Sequence, residues 1–161
     1  MVDIKPYNST NVQIYIDGIA LEGLVKETFC SIKYDNEFIT RHQDTTGKNG
    51  DYAITNDLSA TIDFTCLQRS EANKTLMSKF LANKKDGSGA FHLIVYDNNN
   101  QIKYEAAIAH VGKFADQEFA NEMQNRTWQV LTTRLEPTDI SASALGTSGV
   151  SSILTDITQA I

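Results

Sequence analysis

Between residues 60 and 66 apolar and polar side chains alternate strictly, with Ala60, Ile62, Phe64 and Cys66 on one parity and Thr61, Asp63 and Thr65 on the other. Period two marks a strand with one dry face and one wet face. Val12, Ile14 and Ile16 alternate in the same way with Gln13, Tyr15 and Asp17. Asp17 and Gly18 tolerate positive φ, so this strand should turn there and return through Ile19, Ala20 and Leu21. Residues 28–42 are rich in aromatic and β-branched side chains with an interruption at Asp35 and Asn36, which predicts one long strand bent or bulged in the middle. Residues 43–51 hold Gly47 and Gly50 and almost no apolar surface, the composition of an exposed loop tip. The long strand, the polar tip and the alternating strand together predict an extended hairpin.

The period then changes. Ser70 can cap a helix whose first residue, Glu71, suits the positive end of the helix dipole; Lys84 and Lys85 suit the other end, and Gly87 follows. Leu76, Met77, Phe80 and Leu81 should form its apolar face. Residues 91–96 and 102–110 flank a polar run from Asp97 to Gln101 and read as a second hairpin. Residues 126–135 form a last strand, ended by Glu136 and Pro137, in which Trp128 shares a parity with Val130 and should anchor the core.

Beyond that point the chain changes character. Residues 141–149 are small, and Val150, Ile153, Leu154, Ile157 and Ile161 follow at helical spacing. The expected organisation is a folded β domain over 1–137 and, over 138–161, a flexible C-terminal arm with a short amphipathic helix. So short a helix is not stable alone, so its stripe either packs back on its own domain or docks in a groove of another subunit.

Composition narrows the function. The 161 residues are 41% hydrophobic, enough for one cored domain, and carry a formal net charge of −6. That sign opposes the basic footprint of a nucleic-acid binder. No apolar run is long enough to span a bilayer, and the first residues lack a secretion signal, which predicts a soluble, non-exported protein without membrane insertion. Cys30 and Cys66 alone make no disulfide framework.

Catalytic chemistry finds little support. His42, His92 and His110 could each act as a base, but none stands in a motif with a nucleophile and an orienting carboxylate. Cys66 falls on an apolar parity, where a free thiol behaves as a small hydrophobe, and Cys30 reads the same way. No second ligand stands at metal spacing beside a histidine. Lys48 lies between the glycines of the tip instead of closing a phosphate loop, and the Asp97–Gln101 run lacks the spaced carboxylates of a calcium loop. The expectation is no enzyme, no cofactor and no metal.

The order of these runs resembles the tail tube proteins of contractile-tailed bacteriophages. The resemblance covers residues 28–135 and rests on Gly50, Asp51 and Tyr52 at the tip, residues 58–66, the capped stretch 70–80, residues 91–98, and Arg126, Thr127 and Trp128. It implies a mainly β fold, a small barrel or sandwich with one packed helix and a long protruding hairpin. It also implies a homohexameric ring stacked into a tube through which the genome leaves. The partners would be copies of itself, the sheath, and the baseplate initiator and terminator proteins. The location would be the virion tail after assembly in the host cytoplasm. The inner tubes of pyocins and type VI secretion are similar, and a small β-barrel ligand-binding protein is a third possibility.

Two features of the residues suit such a role. A long hairpin edge can pair with a neighbouring subunit, and its tip (Asp44, Thr45, Thr46, Gly47, Lys48, Asn49, Gly50, Asp51) can reach the next ring. Six chains at −6 each would give about −36 per ring, a field that keeps passing DNA off the wall. Thr61, Asp63 and Thr65, with Lys33 and Asp35 on the partner strand, are the candidates for the lumen; a plain solvent-facing sheet is the alternative.

Overall fold

The computed structural model describes residues 6–141. In chain order the elements are β1 (Val12–Ile16), β2 (Ile19–Ala20), β3 (Cys30–Tyr34), β4 (Ile39–Gln43), β5 (Gly50–Ile54), β6 (Ala60–Cys66), α1 (Glu71–Asp86), β7 (Phe91–Asp97), β8 (Ile102–Lys113), β9 (Arg126–Thr132) and β10 (Glu136–Asp139). Eight strands make one antiparallel sheet in the order β2-β1-β7-β8-β9-β6-β3, with β10 beside β8, and β4 and β5 make a second, two-stranded sheet.

The alternation read from residues 60–66 is fully realised. Ala60, Ile62, Phe64 and Cys66 are buried, and β6 meets β9 in the register Ile62↔Val130 and Phe64↔Trp128, so both strands send the same parity inward. Phe91, Leu93 and Val95 of β7 and Ile14 and Ile16 of β1 join them in one core. Asp17 and Gly18 take φ of 52° and 80° and make the predicted β1–β2 turn.

β8 keeps its apolar side inward by means of a bulge. Leu93 faces Ala106 and Phe91 faces Ala109, so the extra residue leaves Ala107 and Ile108 exposed together and switches the inward parity. Its first half pairs with β10 and its second half with β9.

The sheet curls without closing. Among the described residues β2 and β3 do not pair; the segment after β2 ties the two sides instead. The Leu21 amide donates to Ile14 O at 2.8 Å, Val25 N to Thr65 O at 3.1 Å, and Leu67 N to Gly23 O at 2.9 Å. Gly23 has φ 79° and its Cα lies against the Ser70 side chain, so a Cβ there would be both strained and obstructed. Among the described residues the fold is mainly β with one α-helix and no closed barrel.

α1 begins and ends as its sequence predicts. The Ser70 hydroxyl accepts from Ala72 N at 3.0 Å, and Gly87 closes the helix in the left-handed region at φ 75°. Ala72 and Leu76 are buried and Phe80 packs on the core, whereas Met77 and Leu81 are exposed, against the expectation of one four-residue face. The helix therefore covers the sheet through a stripe narrower than its spacing predicts.

Three strand boundaries differ from the sequence reading. Residues 28–42 are two strands, β3 and β4, in different sheets: the Asp35 amide still donates to Ser59 O at 2.9 Å, its carboxylate accepts from Thr61 Oγ1, and Asn36 donates to Asp57. Residues 126–135 likewise split, β9 ending at Thr132 where its hydroxyl accepts from Arg134 N and donates to the Ile108 carbonyl. β10 then runs through Pro137, which an edge strand tolerates. β8 extends to Lys113, three residues past the expected end.

Candidate assembly interface

The β4–β5 hairpin stands outside the core. Thr40 alone of its ten strand residues is even half-buried. Its register pairs Ile39 with Ile54 and Arg41 with Tyr52, and directly opposed residues share a face, so Ile39, Ile54 and Tyr52 form one apolar strip. Their exposures are 49%, 62% and 74%. A two-stranded ribbon is at best marginally stable in water alone, so an uncovered apolar strip on it is surface suited to a partner.

Polar bonds hold the root of the hairpin. Thr55 Oγ1 donates to the carbonyls of Glu37 and Phe38 at 2.8 and 3.0 Å, and Asn36 Nδ2 donates to Asp57 at 2.9 Å. Asp57 in turn accepts from the Ser59 hydroxyl at 2.6 Å.

Asp44 organises the tip. Its carboxylate accepts from Thr46 N at 3.0 Å, from Thr46 Oγ1 at 2.7 Å and from Asn49 Nδ2 at 2.9 Å. The Thr46 and then the Asn49 hydrogen bonds hold its acid form down to about pKa 2, from the ordinary 3.8. A carboxyl whose folded pKa is depressed stabilises the folded tip above its ordinary pKa and loses that effect as pH falls through about 2. The Thr46 and Asn49 amides are therefore expected to stay protected from hydrogen exchange at pH 4, and Asp44→Ala to release them while the Arg41–Tyr52 pairing persists. Equal exchange in both proteins would refute this. Gly47 turns the tip at φ 71°, and Gly50 and Asp51 already belong to β5.

The proposed lumen residues come together on the outward face of β3 and β6. Lys33 opposes Thr61, Ser31 opposes Asp63, Thr61 Oγ1 donates to Asp35 at 2.9 Å, and the Thr65 and Thr127 hydroxyls lie 3.1 Å apart. Gln129 and Leu131 of β9 extend the same row, which is chiefly hydroxyl and amide; its charges are Asp63 and Asp35 against Lys33. The stripe at Val150, Ile153, Leu154, Ile157 and Ile161 lies outside the described residues.

Two of the histidines bond to neighbouring side chains. His92 Nε2 meets Glu105 Oε1 at 2.9 Å, and Lys103 reaches the other oxygen at 3.0 Å. Those two partners, His92 first, hold the Glu105 carboxyl below the usual range. His110 bonds Asn83 of α1, and His42 is exposed on β4. Burial pushes the Cys30 thiol up to about 12, helped by the charge of Asp63, and the Cys66 thiol up to about 11. Both shifts disfavour the thiolate form.

The sequence reading missed the apolar strip on the hairpin and the burial of Arg126. Tyr52 and Ile54 do alternate with Asp51 and Ala53, but alternation alone cannot say whether the apolar face is covered in the same chain.

A curled open sheet, one capped helix and a detached hairpin define a contractile-tail-tube-like fold. Solved assemblies of that class contain chains that superpose on this one. A chain of the tube-terminating cap of the anti-feeding prophage matches with TM-score 0.58 and 9% identity, over 86% of this chain and 95% of that one. A chain of the sheath–tube complex of an extracellular contractile injection system, PVC, in its extended state matches with TM-score 0.57 and 11% identity, over 84% and 93%. A chain of the PVC sheath/tube terminator matches with TM-score 0.51 and 8% identity, over 85% and 99%. No protein-family model matches the sequence. No curated protein matches it either.

Proposed function

We propose that this chain is a structural subunit of a contractile tail, assembling into six-membered rings that stack into a tube for DNA ejection. The observation that carries this reading is the exposed Ile39, Tyr52 and Ile54 strip on a hairpin that has no core of its own. On a tail-tube-like fold, that strip is best used against a neighbouring copy. The tip would reach the adjacent ring, and the outward row of Lys33, Asp35, Thr61, Asp63 and Thr65 would face the lumen. Sheath, baseplate initiator and terminator proteins would be its other partners, in a virion tail assembled in the host cytoplasm.

Electron microscopy of the purified protein, alone and with a tail initiator, tests the reading: rings or tubes are expected, and a strictly monomeric protein at high concentration would sink it. Deleting residues 44–51 should leave a folded subunit that stacks poorly. Tubes as long as those of the intact protein would reject a role for the tip.

A second reading, the inner tube of an injection machine that delivers something other than a genome, is favoured by the extracellular injection systems among the superposed structures. Genes for a phage capsid beside this one would favour the first reading, and their absence beside sheath and baseplate genes the second.

A further inference from the structure

Among the described residues the two most exposed large apolar side chains are Phe119, at 81%, and Tyr52 of the hairpin strip. They belong to opposite ends of the β6–β9 pair. The hairpin leaves the large sheet where Tyr34 opposes Ala60 and the Asp35 amide donates to Ser59 O. Phe119 lies in the irregular segment that joins β8 to β9, and β9 begins where Arg126 opposes Cys66. From Ala60 to Cys66 the strand spans about 20 Å at about 3.3 Å per residue. Neither patch covers the other within the chain, since both remain exposed.

The segment around Phe119 is held at both ends. The buried Arg126 guanidinium donates from Nη1 to Glu118 O at 3.2 Å and lies 5.5 Å from the centre of the Phe119 ring, while Gln68 Oε1 accepts from Gln124 N at 2.8 Å. Met123, between these two anchors, is exposed as well, and Leu67 beside Cys66 adds a third exposed apolar group at this end. The two patches carry opposite charge. Residues 116–123 hold Asp116, Glu118 and Glu122 and no cation, and neither glutamate is in an ion pair among the described residues. On the hairpin, Arg41 opposes Tyr52 and so shares the face of Ile39, Tyr52 and Ile54; it too has no ion pair there. Of the cations lining the groove beside Phe119, Arg126 is bonded to the Glu118 carbonyl and Lys74 is paired with Glu71 at 3.5 Å, which leaves Arg69 against three carboxylates of the segment.

Those charges decide which surface of a second copy the strip meets. Strip against strip would bring Arg41 toward Arg41 and close a dimer. Strip against the Phe119 segment joins opposite charges and opposite ends of the subunit, so the contact repeats from copy to copy along a stack. We propose that the Ile39, Arg41, Tyr52 and Ile54 face of one copy docks on Phe119 and Met123 of the next, with Arg41 against Glu118 and Glu122. The partner being a second copy, this rests on the self-assembling reading above and names the surface that the strip meets.

The test uses full-length chains carrying one new thiol each, Gln43→Cys on the face of the strip or Asn121→Cys between Phe119 and Met123, both exposed positions, mixed and treated with a short bismaleimide. The native Cys30 and Cys66, with raised thiol pKa, are poor targets. A covalent dimer is expected from the mixture and from neither chain alone. Its yield should fall several-fold when the Gln43→Cys chain also carries Arg41→Glu, and recover when the Asn121→Cys chain then carries Glu118→Lys and Glu122→Lys. A yield that these charge reversals leave unchanged would overturn the inference. Dimers from the Gln43→Cys chain alone would overturn it in favour of strip against strip, and cross-linking only within a chain carrying both thiols in favour of docking in cis. No cross-link in either format, in samples that show tubes by electron microscopy, would overturn it and leave the tube reading standing. Neither tubes nor dimers would overturn both, and dimers without tubes would uphold the contact alone.

Discussion

Replacing Trp128 by alanine is expected to lower the unfolding free energy by about 3–5 kcal/mol, as for other large aromatic deletions in cores. The side chain is 2% exposed, faces Phe64 across the β6–β9 ladder and packs edge-on against Phe114 at 4.9 Å, which in turn meets Phe80 of α1 at 5.1 Å. Its indole N–H also donates to Asn73 Oδ1 at 2.9 Å. Asn73 cannot follow the lost ring inward, because its amide is committed to the carbonyls of Leu67 and Gln68 at the start of α1. A cavity and an orphaned acceptor therefore appear together. Against a usual total of about 5–15 kcal/mol, that is enough to leave part of the protein unfolded. Urea denaturation followed by far-ultraviolet circular dichroism measures it. Trp128→Phe keeps most of the apolar volume and loses the N–H, so its effect should be nearer 1–2 kcal/mol. A Trp128→Ala shift below about 1 kcal/mol would mean that this residue does not join sheet and helix as described.

The double substitution Tyr52→Glu and Ile54→Glu should do the reverse: leave the subunit's stability within about 0.5 kcal/mol and abolish assembly. Neither side chain touches the core, so the folded chain loses no buried contact. In an interface each would contribute about 1.5–3 kcal/mol when covered, and a carboxylate in its place adds a desolvation cost at every repeat of the contact. Sedimentation velocity and electron microscopy read the loss of tubes. Normal tubes would show that the strip is not an interface; an unfolded subunit would show that the hairpin packs in cis.

Much of the fold was legible along the chain wherever a local rule had no competitor. The alternation in residues 60–66, Asp17 and Gly18 at a turn, and Ser70 and Gly87 at the ends of a helix each express short-range sterics or a local hydrogen bond. The long strand expected over 28–42 was half right. Its two β segments exist, but Asp35 and Asn36 take side-chain partners from β6 and from Asp57, contacts 21 to 26 residues away in sequence. Likewise Thr132 ends β9 by bonding across to Ile108 and on to Arg134, so the strand expected to run to Leu135 stops early. Met77 and Leu81 show the same limit on the helix: spacing puts them beside Leu76 and Phe80, but no other part of the described chain covers them.

The candidate interface divides in the same way. The polar tip and the outward parity of Thr61, Asp63 and Thr65 were readable, since hydration and period two depend on nearby residues. That Ile39, Tyr52 and Ile54 line up on a face with nothing over it was not, because cross-strand register is set by the turn and burial by the rest of the chain. The burial of Arg126 is still further from a sequence pattern, since it depends on Glu118 and Phe119 in the irregular segment before β9.

By itself the sequence determined the elements, the parity of their apolar faces and an acidity ill-suited to binding nucleic acid, all properties set by neighbours within a turn or a strand. Only the tertiary structure decided which apolar faces are covered and which are left exposed, and that Arg126 is nearly buried. Those outcomes depend on how the eight-stranded sheet curls, and curling is the joint result of many long-range pairings.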